Sequence, residues 1–172
     1  MYILSSLQLH EADAFTIKNE PIGSCDLMER AANRFVTAVL QDFPDTETFF
    51  IFCGKGNNGG DGLATARLLA QKGKTVHTCI VHYTDKESND FQTNYIRLQN
   101  LQQENCHIHN LTEFQHITIP TNAIVIDALF GSGLNRPISG LVGQLVEFLN
   151  TLPNQRIAID IPSGLFADVQ QN

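Results

Sequence analysis

The sequence predicts an α/β protein with a mainly parallel sheet covered by helices on both faces. Two observations predict it. Apolar β-rich runs alternate with segments of helical spacing from residue 48 to residue 159, and that alternation is the mark of a parallel sheet between two helical layers. Three acidic or glycine-rich features also fall directly after apolar runs: the stretch 57–61, Asp127 and Asp160. In a parallel sheet all strand C-termini share one edge, and ligands of open α/β sheets bind outside that edge.

The elements follow in order. Ser5 or Ser6 caps a helix running to about Lys18, with Leu7, Ala14 and Ile17 as its apolar positions. Pro21-Ile22-Gly23 breaks it. Ser24 caps a second helix from Asp26 to Gln41, with Leu27, Ala31, Phe35, Ala38 and Val39 at helical spacing. Pro44-Asp45 turns into the first strand, Thr48 to Cys53. A glycine loop then leads to a helix from Leu63 to Lys72, stopped by Gly73. Lys74 to Tyr83 reads as the second strand and Asp85 to Asn89 as a polar loop. Phe91 to Leu101 reads as a helix with Tyr95 and Leu98 inward. Cys106 to Leu111 is a short strand, and Leu111 to His116 a helical turn. Pro120-Thr121-Asn122 opens the strand Ala123 to Ile126, which ends in Asp127 and a loop, Ala128 to Pro137. Ser139 caps a helix through Asn150, and Pro153-Asn154 turns into the last strand, Arg156 to Ile159.

A length of 172 residues suffices for one domain with a sizeable core. The apolar content of 42% and charged content of 17% fit a globular protein. A formal charge of −7 argues against a nucleic-acid surface, which needs a basic stripe. No apolar run is long enough to cross a bilayer, so no membrane partner is expected. The four cysteines, Cys25, Cys53, Cys79 and Cys106, contain no C-x-x-C pattern and read as the reduced thiols of a cytoplasmic protein. No signal peptide is evident at the start. Among the six histidines, His107 and His109 alternate along one strand and share a face, which reads as a surface or edge pair. No G-x-S-x-G elbow is present.

The stretch 53–62, CGKGNNGGDG, organises the chain. Glycine there is expected to let the backbone take positive φ and to admit a ligand close to bare amides. The helix N-terminus behind it adds unpaired N–H groups that favour phosphate. Gly54, Gly56 and Gly59 formally match G-x-G-x-x-G, the pattern of NAD-dependent oxidoreductases. The ribose-binding acid expected about 20 residues on is missing, since Asp85 lies past the next strand. A P-loop pattern is absent. A plain connecting turn would be shorter and would not need NNGGDG.

Three long motifs, GKGNNGGDGLATARLL, VIDALFGSGLNRPISG and AIDIPSGLFAD, in that order, strongly resemble the YjeF N-terminal domain family, the NAD(P)H-hydrate epimerases. LMERAA at 27–32 resembles the early helix motif of that family. The resemblance spans nearly the whole chain. It implies a Rossmann-like, three-layer α/β/α fold, a homodimer, and epimerisation at C6 of the hydrated nicotinamide ring of NADHX and NADPHX, in repair of damaged nicotinamide cofactors. It implies substrate contacts from Asn57, Asn58, Gly59, Gly60 and Asp61, from the loop Gly131, Ser132, Gly133, Leu134, Asn135, Arg136 and Pro137, and from Asp160. It implies one potassium ion per subunit held by Asn58, Asp127 and Ser163, whose hard oxygen donors suit a hard cation. Asp160 is the expected acid/base.

Family members continue for several strands past the DIPSG motif. A single domain of this type over residues 1–172, lacking the last strands, is therefore expected. It is either a fragment or the front part of a longer protein whose second half is the partner NAD(P)H-hydrate dehydratase. Asn135 and Arg136 stand where the family varies. A non-catalytic nucleotide-binding or protein-interaction module of the same family is the alternative, and retention of Asn58, Asp127, Asp160 and Ser163 counts against it.

Overall fold

Residue 50 and its neighbours explain the centre of the molecule. The run Thr48–Cys53, TFFIFC, combines aromatic and β-branched residues, which favour a strand. In the computed structural model, which describes residues 4–169, it forms β1 at the middle of a five-stranded sheet of order β3-β2-β1-β4-β5. Residues 1–3 and 170–172 of the expected domain lie outside the described residues. The other strands are β2 Thr75–Val81, β3 Cys106–Leu111, β4 Ile124–Ala128 and β5 Arg156–Ala158, and every pairing is parallel. Between them lie α3 Asn57–Gln71, α4 Asn89–Gln99 and α5 Gly140–Thr151, with α1 Ser6–Asn19 and α2 Ser24–Asp42 before β1.

The sheet separates two cores. Phe49, Ile51, Val76, Ile80, Ile124 and Ile126 point to the face covered by α2, α3 and α4. Phe50, Phe52, Cys79, Val81, Val125 and Leu129 point to the other, covered by Val142, Leu145 and Leu149 of α5. Both faces of β1 are buried, which is why the run is apolar without alternation. Full burial of a large apolar side chain such as Phe52 contributes about 1.5–3 kcal/mol. The expected three-layer α/β/α arrangement is therefore present.

Several local expectations are revised. The helix after β1 starts at Asn57, not Leu63, so NNGGDG is its first turn and a half and not a loop. The glycines of that stretch do not adopt positive φ, which is confined to Gly73, Gly140 and Gly164 among the glycines. Their role is close approach. A Cβ on Gly59 would stand 1.8 Å from the Gly54 carbonyl oxygen, and one on Gly62 would stand 2.6 Å from the Ala128 methyl. Bare Cα atoms thus let α3 lie directly on the ends of β1 and β4. Ser24 is not the cap of α2. Gly23 takes that position, and the Ser24 hydroxyl instead donates to Asp90 Oδ1 at 2.9 Å.

Ser5 caps α1 in a reciprocal box with Gln8, yet no residue of α1 is buried, Leu7, Ala14 and Ile17 included. Residues 112–117 form no helical turn. They run irregularly over the α5 face, where Ile117 and Ile119 pack into the core and Phe114 meets Phe148 edge to face. β2 is shorter than the expected Lys74–Tyr83, and β5 ends at Ala158. Helix α4 starts at Asn89 because the Ser88 hydroxyl accepts from the Phe91 amide at 3.1 Å. His107 and His109 do share a face, and His109 Nε2 lies 3.1 Å from His77 Nδ1 on the neighbouring strand.

Candidate active site

The order β3-β2-β1-β4-β5 reverses between β1 and β4. The connections from those two strands leave on opposite faces, which opens a crevice at their C-terminal ends. α3 starts in that crevice, directly after β1, and Asp127 is the fourth residue of β4. Asp160 follows β5, with Ile159 tied to the Asp127 carbonyl by a 2.8 Å amide hydrogen bond.

Three donors converge on the Asp127 carboxylate. Ser163 donates to it twice, amide to Oδ2 at 2.8 Å and hydroxyl to Oδ1 at 2.7 Å, and the Leu129 amide adds a contact of 3.1 Å to Oδ1. The Ser163 hydroxyl oxygen in turn accepts from the Phe130 amide at 2.9 Å. β4, the loop after it and the turn after β5 are therefore one hydrogen-bonded unit. Gly164, at φ +107°, makes that turn possible immediately after Ser163.

Asp160 stands at the rim. Its own φ is +68°, a left-handed conformation uncommon for a residue with a Cβ, and such strain concentrates at functional sites. Its Oδ2 accepts a 2.6 Å hydrogen bond from the Ser132 amide. A Cβ on Gly131 would lie 2.4 Å from that oxygen and 3.3 Å from the Asn58 side-chain carbon. Gly131 is thus the spacer that brings Asp160 against Asn58. Asn58 itself carries a buried side-chain oxygen and nitrogen, neither with a hydrogen-bond partner. Such groups are costly unless something satisfies them.

Asp61 lies one turn further along α3. Burial, then the charges of Asp160, Asp13 and Asp90, push its carboxyl up to about 7. Asn57 is exposed, while Gly59 and Gly60 are buried in the packing of α3.

The loop 131–137 divides between two places. Gly131 and Ser132 belong to the carboxylate cluster, whereas Gly133 to Pro137 line a neighbouring cavity of about 780 Å³. That volume lies within the range of small-molecule sites. The cavity's opposite wall is the segment Tyr83–Ser88 after β2, with Phe130 on the seam between the two places. The lining carries the cations Lys55, Lys86 and Arg136 and one carboxylate, Glu87, which pairs with Lys55 at 3.0 Å. Tyr83, Lys86, Glu87 and Lys55 were not singled out by the sequence reading. The signal for the segment was its place after a strand next to the reversal point, and for Lys55 it was a charged residue between two glycines.

An open parallel sheet with a helix N-terminus, a fixed carboxylate and an orphaned amide at its reversal point places the chain in the doubly wound α/β class. Residues 24–172 match the family described as YjeF-related protein N-terminus, and the chain belongs to that family. Over 166 residues it is 32% identical to the NAD(P)H-hydrate epimerase of Limosilactobacillus fermentum, covering 96% of this chain and 76% of that protein. Over 170 residues it is 35% identical to the NAD(P)H-hydrate epimerase of Oenococcus oeni, with the same coverage of 96% and 76%. The bifunctional NAD(P)H-hydrate repair enzyme Nnr of Salinibacter ruber is 33% identical over 178 residues, which cover 96% of this chain and 33% of that enzyme. Among solved structures, yeast ynu0 superposes with a TM-score of 0.77 over 95% of this chain and 72% of the yeast chain, at 21% identity. No described helix is long and apolar enough to cross a membrane.

Proposed function

We propose that this chain is an NAD(P)H-hydrate epimerase, an isomerase that interconverts the R and S epimers of NADHX and NADPHX at C6 of the hydrated nicotinamide ring. The observation that carries the proposal is the meeting of Asp160, Gly131 and Asn58 at the reversal point, beside a cavity with three cations, in a chain at 32–35% identity to two enzymes of that name. Lys86 and Arg136 on the cavity lining suit the pyrophosphate of a dinucleotide, in a protein whose overall charge is −7.

Asp160 is the acid/base. In one direction it gives its proton to the C6 hydroxyl, the C6–O bond breaks, and water leaves. The N1 lone pair forms the C6–N1 double bond of a planar cation. Water then adds to either face and returns a proton to Asp160, which completes the exchange of epimers with atoms and charge balanced. The Ser132 amide holds the carboxylate in place throughout. Reversible ring opening uses the same acid/base and differs in the bond that breaks.

The same reading assigns one potassium ion per subunit to Asn58, Asp127 and Ser163. The unpartnered Asn58 side-chain oxygen fits a cation, and the donor set holds one carboxylate and otherwise neutral oxygens, which suits a hard ion of low charge. The ion supplies fixed positive charge that orders the loops around the substrate. Asn57 to Asp61 and Gly131 to Pro137 complete the substrate contacts. The working unit is a homodimer in the cytoplasm, acting with an NAD(P)H-hydrate dehydratase.

The test is chromatographic. Purified R-NADHX incubated with the protein should approach an equilibrium mixture with S-NADHX. Persistence of pure R, with the protein folded, would replace this reading with a non-catalytic module of the same family.

A further inference from the structure

Lys55 is the one buried charged residue among the described residues, with 6% of its surface exposed. Lysine is almost never buried without a partner. Its Nζ meets Glu87 Oε1 at 3.0 Å and donates to the Thr84 carbonyl at 3.0 Å. Its backbone carbonyl accepts from the Ser88 amide at 3.0 Å. Three links therefore run from a single residue of the glycine stretch to the segment 84–88. That segment ends in Ser88, whose hydroxyl caps α4. It also forms the wall of the cavity opposite Gly133–Pro137.

From these links, and resting on the epimerase reading above, we infer that Lys55 is a positioning residue for the reaction: it straps the segment 84–88 to the start of α3 and so fixes the width of the cavity that receives the part of the dinucleotide remote from the reacting ring. Its ammonium is engaged by Glu87 and Thr84, so its contribution is the shape of the wall. Binding energy from remote substrate groups requires such a preformed wall. Loss of the strap lets the wall move and weakens substrate capture, while Asp160, held by Ser132 on the other side of Phe130, keeps its geometry.

The experiment compares the parent with Lys55→Met, Glu87→Gln and the double variant, using NADHX turnover and titration calorimetry with NADP+ as the probe. Lys55→Met is expected to raise KM about tenfold or more with kcat within about threefold, and to weaken NADP+ binding in parallel. Glu87→Gln is expected to act in the same direction, and the double variant to be no worse than Lys55→Met, because both act through one loop. Amides 84–91 should exchange hydrogen faster in each variant. An unchanged KM, a fall in kcat alone, or fully additive effects would overturn the proposal. If Lys55→Met does not fold, Glu87→Gln decides by the same KM and exchange readouts. Absence of turnover in the parent would refute the epimerase reading, and NADP+ binding would still judge the strap.

Discussion

The Ser132 amide and the Asp160 carboxylate are joined by a 2.6 Å hydrogen bond across 28 residues of sequence. The bond ties the acid/base to the loop after β4. Asp160→Asn keeps the shape and removes proton transfer. It should lower kcat by about 10²–10⁴-fold with dinucleotide still bound. Single-turnover kinetics on R-NADHX and NADP+ titration measure the two effects separately. A variant that is folded and as fast as the parent removes Asp160 from the chemistry.

Gly131→Ala places a methyl 2.4 Å from Asp160 Oδ2 and 3.3 Å from the Asn58 side-chain carbon. Something must shift, and both neighbours belong to the site. A displacement near 1 Å can cost about 100-fold in rate, so a fall of that order is expected. Residue 131 has an ordinary φ and is half-buried, so the unfolding midpoint should move little. A variant matching the parent rate would show that the spacing of Asp160 and Asn58 is slack.

Asp127→Asn swaps an acceptor oxygen for an NH₂ group facing donors on Ser163 and Leu129. Each buried donor left unmatched costs about 1–3 kcal/mol, so the unfolding midpoint should fall. The half-saturating potassium concentration should rise about tenfold or more, because the site loses its one negative charge. Activity titrated with potassium chloride against an N-methylglucamine baseline checks this. An unchanged potassium response would move the ion elsewhere.

Asp61 makes a prediction about pH. Its carboxyl sits near 7 in the fold, through burial and then the charges of Asp160, Asp13 and Asp90, against 3.8 ordinarily. Between those values the folded chain holds a proton that the unfolded chain has released. Its contribution to stability is then full below about pH 4 and is lost as pH rises through about 7. Asp61→Asn removes this dependence. Urea midpoints of parent and variant should therefore diverge in the variant's favour as the pH is raised from about 5 to about 8. Parallel curves would mean that the carboxyl is ordinary.

The fold was legible because periodicity and strand-end punctuation are local. TFFIFC and VIDA announce strands whatever lies beside them, and parallel pairing then gathers their ends. Asp127, Asp160 and the stretch 57–61 could be placed at one edge by that reasoning alone, whereas Ser163 is reached only through the family resemblance. What was not legible depends on distant neighbours. The glycines of 54–62 read as a loop because glycine is a poor helix former, by about 1 kcal/mol relative to alanine. The contacts of Gly59 with Gly54 and of Gly62 with Ala128 explain why the helix nevertheless starts at Asn57. Likewise, nothing local to Lys55 predicts Glu87 and Thr84 as its partners, 32 and 29 residues away in the chain. Helical spacing picks out Leu7, Ala14 and Ile17 as the apolar positions of α1, but spacing alone cannot tell whether such positions meet a core.

The left-handed backbone at residue 160 has an evolutionary consequence. Asparagine and above all glycine tolerate φ near +68° better than aspartate's neighbours in the genetic code such as valine or alanine. Glycine carries no Cβ penalty there, so selection for stability alone would admit glycine at this position, whereas selection for turnover would hold aspartate. A lineage that abandoned the chemistry while keeping the fold should lose this residue early. Its presence in an unselected library of folded, inactive descendants would be a memory of function rather than of architecture.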